Sequence, residues 1–166
     1  YSLSEEVKLP VLLRVVTRLA HSRAGVVTAQ PKDQNPLNPS NERGNWVLLP
    51  ANARRQYASL IEKQAILQES SQKSPFNTCR EAENPKMGIV ACGIAYNYVM
   101  ENSPAQLGIE VLKISQYPLP AKAIKEFADR CGTILVAEDG QPVVEEQVKG
   151  ILGADYIVKG RLTGDL

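Results

Sequence analysis

The chain has 166 residues, of which 43% are hydrophobic and 22% are charged, a composition that suits one compact domain or one domain with part of another. Its formal net charge is +1 with both signs interspersed, which predicts binding neither to nucleic acid nor to an anionic membrane. No apolar stretch approaches the roughly 20 residues that span a bilayer, and the start lacks the pattern of a secretory signal, so we expect a cytoplasmic protein.

The first part of the chain is predicted to hold one buried strand and then a loop. Residues 9–16, LPVLLRVV, are rich in branched apolar side chains, which is typical of such a strand. Residues 29–45 contain three prolines and four asparagines with few apolar side chains, which indicates a loop or linker. Because Tyr1 is not a methionine and structured sequence begins almost at once, we expect a fragment of a longer protein.

A helix and a second connector are predicted next. WVLLP is expected to be extended, and residues 51–70 to form a helix with Tyr57, Leu60, Ile61 and Ala65 along one stripe. Residues 71–86 are polar and predicted to be a connector. Composition therefore places a domain boundary near Asn84.

From Met87 onward, apolar strands alternate with amphipathic helices. Strands are predicted at residues 87–92, 110–115, 133–138 and 155–159, and helices at residues 94–102, 121–131 and 141–152. Such alternation indicates a parallel sheet with helices on both faces. The sequence therefore predicts an α/β fold with a doubly wound, mainly parallel sheet.

Gly93 and Tyr96 lie where the first of these strands passes into a helix, at the carboxyl edge where open α/β sheets bind ligands. The first N–H groups of such a helix can hold an anion. However, ACGIAY contains neither G-x-G-x-x-G nor a P-loop motif. We therefore favour a glycine that is needed for a tight turn over a phosphate site.

Glu138 and Asp139 follow the third of these strands and are expected at the same edge. An acidic pair there can bind a metal or a basic partner. The alternative, which we favour, is that one of the two caps the next helix, with Pro142 in its first turn.

The single histidine, His21, is close in sequence to Arg14, Arg18 and Arg23. Guanidinium groups bind carboxylates and phosphates with two parallel hydrogen bonds, so Arg18 and His21 are candidates for recognising an anion. Solvated arginines and a hydrogen-bonded histidine explain the same residues equally well. We assign no catalytic, cofactor-binding or metal-binding residue within this chain.

The three cysteines, Cys79, Cys92 and Cys131, are odd in number and widely spaced. This spacing fits neither a disulfide framework nor a C-x-x-C metal or cluster motif. We expect buried or partly buried free thiols.

The segments that carry a family resemblance are LPVLLRVVTRLAHSRAGV, VLLPANARRQY, MGIVACGIAYNYVMEN, ISQYPLPAKAIKEFADRC and ILVAEDGQPVVEEQVKG. In this order they resemble the middle of the large subunit of indolepyruvate ferredoxin oxidoreductases. These are thiamine diphosphate enzymes of the 2-oxoacid:ferredoxin oxidoreductase superfamily. The resemblance covers nearly the whole chain.

The resemblance implies a domain organisation and an activity. Residues 1–28 would be the end of a thiamine pyrimidine-binding domain, residues 29–86 a linker with one helix, and residues 87–166 a transketolase C-terminal-like domain. The parent would decarboxylate an aryl 2-oxoacid to an acyl-coenzyme A, using thiamine diphosphate, Mg²⁺, iron-sulfur clusters and coenzyme A. Its partners would be the remaining domains, a smaller subunit and ferredoxin.

Two departures from the family limit this expectation. Its diphosphate and magnesium motif, GDG followed by an asparagine, is not found in this sequence, and its activating glutamate is expected upstream of Tyr1. We therefore expect the fragment itself to bind no cofactor and to be inactive. A pyruvate or 2-oxoisovalerate enzyme is an alternative within the family. The alternative outside it is a stand-alone α/β module that binds a ligand or partner at Gly93, Tyr96 and Glu138.

Overall fold

A computed structural model describes residues 1–37 and 41–166 of the chain. These residues divide into two compact units, Tyr1–Ile61 and Glu62–Leu166. Residues 38–40, part of the loop predicted at residues 29–45, lie outside the described residues. Across the described ranges, no helix combines the length and the apolar composition that a membrane span needs.

The first unit is built from helices and irregular backbone. Its elements are α1 (Ser2–Val7), α2 (Thr17–His21), a short 3-10 helix (Arg43–Trp46) and the beginning of α3 (Pro50–Gln72). The helix predicted at residues 51–70 is thus confirmed. The extended backbone predicted for WVLLP is only partly right, because Trp46 ends the 3-10 helix and Val47 is the extended residue.

The strand predicted at residues 9–16 is wrong. These residues adopt no regular secondary structure, and the side chains of Leu12 and Leu13 are 92% and 84% exposed. A strand needs a neighbour that pairs with its backbone N–H and C=O groups. Among the described residues of the first unit there is no other strand to supply those partners.

The second unit contains a mainly parallel sheet, which among the described residues has five strands. They are β1 (Thr78–Arg80), β2 (Met87–Cys92), β3 (Ile109–Ile114), β4 (Thr133–Ala137) and β5 (Ile157–Lys159), in the order β1-β3-β2-β4-β5. Parallel pairing of the last four confirms the four predicted strands. The polar connector predicted at residues 71–86 is wrong in one respect, because it contains β1, which pairs antiparallel with β3. A strand of three residues, TCR, is too short to give a periodicity that a sequence pattern can detect.

Helices cover both faces of this sheet, which confirms the α/β prediction. On one face, α4 (Ile94–Glu101) packs over the smaller apolar cluster. On the other face, α5 (Ala121–Cys131) and α6 (Val143–Leu152) bury the larger cluster. The large fully buried apolar side chains belong mainly to this second face and include Phe127, Ile114, Leu119, Ile124 and Ile134.

An ion pair between a half-exposed arginine and a buried carboxylate ties α5 to the β1 edge of the sheet. Glu110 of β3 is 3% exposed and accepts hydrogen bonds from Arg130 Nε and Nη2 at 3.2 and 3.0 Å. Arg130 Nη2 also lies 3.7 Å from the sulfur of Cys79. Burial and the nearby Glu110 carboxylate raise the pKa of Cys131 to about 12, so this thiol stays protonated. Cys79 is exposed, which corrects the prediction that all three thiols are at least partly buried.

Gly88 allows α5 to approach β2 closely. An added Cβ at Gly88 would lie 2.6 Å from Phe127 Cε1 and Cζ, and 2.9 Å from Cys131 Sγ. Real Cβ atoms do not approach neighbours this closely, and Phe127 is fully buried and has nowhere to move.

We therefore predict that Gly88→Ala destabilises the second unit. Forcing an extra methyl group into a packed core costs about 1–3 kcal/mol. The control is Gly150→Ala in α6, whose added Cβ meets nothing within 4 Å. Denaturant unfolding followed by circular dichroism measures both, and equal midpoints for Gly88→Ala and the wild type would contradict the prediction.

Candidate functional site

The candidate site is the crevice at the carboxyl ends of β2 and β4. The chain passes from β2 to its neighbour β3 on one side and from β4 to β5 on the other side. Open α/β sheets bind ligands where the connections diverge in this way. The two strand ends lie side by side, since the Cys92 thiol contacts the carbonyl oxygen of Ala137 at 3.9 Å.

Gly93 forms the turn on the β2 side of this crevice. Its backbone has φ 57° and ψ −138°, a conformation that is essentially limited to glycine. An added Cβ would meet nothing within 4 Å, so the glycine is required by the backbone and not by crowding. The geometry therefore matches the tight strand-to-helix turn that the sequence favoured.

Tyr96 lies in the first turn of α4, half-buried against the smaller apolar cluster. The ammonium group of Lys113, near the end of β3, lies 4.7 Å from the centre of its ring. A cation over an aromatic face at this distance is favourable by about 0.5–1 kcal/mol at partly exposed sites. Tyr96 therefore packs α4 onto the sheet at the crevice.

Glu138 caps α6 from the end of β4. It is 8% exposed, and its two carboxylate oxygens accept the backbone N–H groups of Val144 and Glu145 at 2.9 and 2.8 Å. Of the two acidic residues, Glu138 is therefore the one whose geometry matches a helix cap, while Asp139 is exposed. Across the described ranges, no group of three or more His, Cys, Asp or Glu residues is placed to hold a metal ion.

Glu145, which the sequence did not single out, is the most buried carboxylate of the domain at 1% exposure. It accepts the backbone N–H of Leu162 at 2.9 Å and the ammonium of Lys149 at 2.7 Å. Burial by itself raises the pKa of Glu145, but the hydrogen bonds from Leu162, Lys149 and Arg161 N–H outweigh it and hold the pKa below the ordinary value. Its position in the first turn of an amphipathic helix is the only sequence signal.

A polar cluster fixes the loop that follows β3. The side-chain amide of Asn77 accepts the backbone N–H groups of Ser115 and Gln116 at 2.8 and 2.9 Å and donates to the carbonyl of Gln116 at 3.1 Å. Ser71, which is fully buried, donates to the same carbonyl at 3.0 Å. These groups come from residues 71–86, where sequence patterns indicated only a connector.

The remaining candidates lie in the other unit. Arg18 and His21 belong to α2 in Tyr1–Ile61, and both are exposed. Of the five candidates, Gly93 and Glu138 directly follow the neighbouring strands β2 and β4, and Tyr96 lies in the first turn of the helix after Gly93. The functional role of all five stays a prediction.

Comparison with solved structures finds a similar fold. A 2-oxoglutarate:ferredoxin oxidoreductase from Magnetococcus marinus matches with a TM-score of 0.50 and 16% identity, covering 69% of this chain and 21% of that chain. At this identity the likeness concerns the fold alone. The fold is therefore an α/β arrangement that occurs in a 2-oxoacid:ferredoxin oxidoreductase.

Sequence comparison finds similarity to one kind of enzyme subunit. The indolepyruvate oxidoreductase subunit IorA of Thermococcus kodakarensis is 34% identical over 159 residues, which cover 90% of this chain and 24% of the relative. The IorA subunit of Methanothermobacter marburgensis is 35% identical over 174 residues, which cover 100% of this chain and 28% of the relative. No family model matches the chain. The chain is thus similar to IorA subunits over nearly its whole length, and it spans about a quarter of the length of these relatives.

We predict that Glu138→Gln destabilises the second unit by about 1–2 kcal/mol, because one capping oxygen becomes an amide nitrogen that faces an N–H group. Asp139→Asn makes the same chemical change at an exposed neighbour and is expected to stay within about 0.5 kcal/mol of the wild type. Denaturant unfolding at neutral pH measures both changes. Equal losses for the two variants would contradict the capping role.

A second prediction concerns pH. Because the pKa of Glu145 is lower in the folded chain than the ordinary value of 4.5, its stabilising effect is present above that value and is lost as pH falls through the folded pKa. We expect the free energy of unfolding to fall between about pH 5 and pH 3, and to fall less steeply in Glu145→Gln. Unfolding curves across this range, with exposed Glu146→Gln as control, provide the measurement. Parallel curves for Glu145→Gln and the wild type would contradict it.

Proposed function

We propose that the chain is a segment of the large subunit of an indolepyruvate ferredoxin oxidoreductase. The observation that carries the proposal is the similarity to IorA subunits over 90–100% of this chain. The whole enzyme cleaves the bond between the carboxylate and the keto carbon of an aryl 2-oxoacid. Carbon dioxide leaves, the acyl group passes to the thiol of coenzyme A, and the electron pair passes through iron-sulfur clusters to ferredoxin. Thiamine diphosphate with Mg²⁺ supplies the carbanion chemistry in this proposal.

The residues at the start of α6 do not fit the diphosphate of thiamine diphosphate. At the β4 side of the crevice, the N–H groups at the start of α6 that a diphosphate would need already bind the carboxylate of Glu138. A negative carboxylate at this position also repels a diphosphate. We therefore derive no catalytic step through this segment, and we assign the cofactor to other parts of the subunit.

The role that we propose for the segment is assembly of the subunit. This role is supported by the buried carboxylates at the carboxyl edge, Glu138 and Glu145, because both are engaged in contacts within the domain. The domain limits 1–28, 29–86 and 87–166 belong to this proposal, as do the smaller partner subunit, ferredoxin and a cytoplasmic location.

The activity is tested on the whole gene product that contains this chain, purified with its partner subunit. We expect coenzyme A-dependent reduction of ferredoxin with indolepyruvate, at a kcat/KM at least about tenfold above that with pyruvate or 2-oxoisovalerate, because a shaped apolar site gains several kcal/mol from an aryl group. A preference for one of the other acids would move the assignment within the superfamily. Reduction with none of the three would overturn it and favour a ligand-binding or partner-binding module.

The segment's own role is tested by titration calorimetry of the 166-residue chain with thiamine diphosphate and Mg²⁺. We expect no saturable heat at micromolar protein, because the capping carboxylate holds the amide groups at the crevice. Stoichiometric binding would show that the cofactor assignment is wrong.

A further inference from the structure

Residues 160–165, which follow β5 and are called the strap here, form a turn that closes on itself. The N–H of Asp165 donates to the carbonyl of Gly160 at 2.9 Å, and the N–H of Gly160 donates to the hydroxyl of Thr163 at 2.8 Å. The same hydroxyl donates to the carboxylate of Asp165 at 2.6 Å. These bonds lie within the strap, so it can keep its shape when it moves.

The strap has little apolar attachment to the domain. Residues 161–165 are exposed, and the largest apolar side chain among them, Leu162, is 51% exposed. Hydrophobic burial therefore contributes little to holding it in place. Polar contacts must supply most of the attachment.

The strongest of the described polar contacts come from Glu145 in the first turn of α6. Its buried carboxylate accepts the N–H of Leu162 at 2.9 Å, together with the N–H of Arg161. By comparison, Arg161 Nε lies 3.4 Å from the carbonyl of Glu138, and Lys159 pairs with Asp165 at 3.1 Å on the surface. Charge-assisted bonds of normal length to a buried carboxylate are stronger than a long contact between a guanidinium and a carbonyl oxygen, or than an exposed ion pair.

Gly160 leaves the space that this contact needs. An added Cβ at Gly160 would lie 2.5 Å from Glu145 Oε2 and 2.7 Å from its Cδ. The carboxylate is confined on its other side, where Oε1 binds Lys149 at 2.7 Å. A methyl group at position 160 would therefore push strap and carboxylate apart while the charge of Glu145 remains.

We propose that Glu145 is a latch, whose carboxylate holds the strap closed against the first turn of α6, and that the strap opens as a unit when this contact is broken. Opening uncovers the buried carboxylate of Glu145 in the first turn of α6, next to the β4 side of the crevice. The device is independent of the proposed activity, because it rests on contacts within the second unit alone.

The latch is tested by amide hydrogen exchange on the whole 166-residue chain. In Glu145→Gln we expect exchange within the strap, at the N–H of Leu162 above all, to accelerate at least about tenfold, while residues 134–136 of β4 keep their wild-type rate. The control is Glu146→Gln, which removes the same charge from an exposed neighbour on the same turn and is expected to change neither rate.

A second variant distinguishes opening of the strap from a general loss of stability, which Glu145→Gln could also cause. Gly160→Ala keeps every charge, and we expect it to accelerate strap exchange in the same way, with Gly150→Ala as its control. The proposal is overturned if strap exchange in Glu145→Gln equals the wild-type rate. It is also overturned if residues 134–136 accelerate as much as the strap in both variants, since the strap would then open only with the whole domain.

Discussion

The α/β unit depends on partners for the backbone N–H and C=O groups at the carboxyl edge of its sheet. A parallel strand ends in a loop at this edge, and a buried N–H or C=O group left without a partner costs about 1–3 kcal/mol. Side chains meet part of this demand after β3, β4 and β5, where backbone N–H groups donate to Asn77, Glu138 and Glu145 respectively. Their contacts determine where these loops lie, and therefore what the edge can offer to a ligand.

This constraint explains why the crevice differs from a phosphate site on a similar fold. On the β4 side, a carboxylate of the protein already occupies the helix N–H groups that an anion would use. On the β2 side, the space beside Gly93 is empty. However, Tyr96, in the first turn of the helix that follows, is packed onto the sheet. At this edge, the groups that could bind an anion are engaged within the domain. This agrees with the structural role in an IorA-type subunit that we propose for the domain.

Elements with a long apolar or helical pattern were predictable from the sequence, whereas short or unpaired segments were not. Strands β2 to β5 and helices α3 to α6 were predicted close to their observed limits, because long apolar runs and helical stripes specify both the element and its buried face. Residues 9–16 have the same apolar character as β2, yet they form no strand in the described structure. Strand β1 has almost no apolar character, yet it pairs with β3. Whether a segment formed a strand thus depended more on the presence of a pairing strand than on the segment's composition.

By itself, the sequence determined the α/β class, the alternation of the last four strands with their helices, and the relationship to indolepyruvate oxidoreductases. These depend on local periodicity and on motifs that are contiguous in the chain. Only the tertiary structure decided that Glu138 is a cap, that Glu145 holds the strap, and that Asn77 fixes the loop after β3. The reason is physical: a carboxylate or an amide has the same local pattern whether it faces water or a buried N–H group. Its role depends on which backbone groups the folded chain brings within about 3 Å of it.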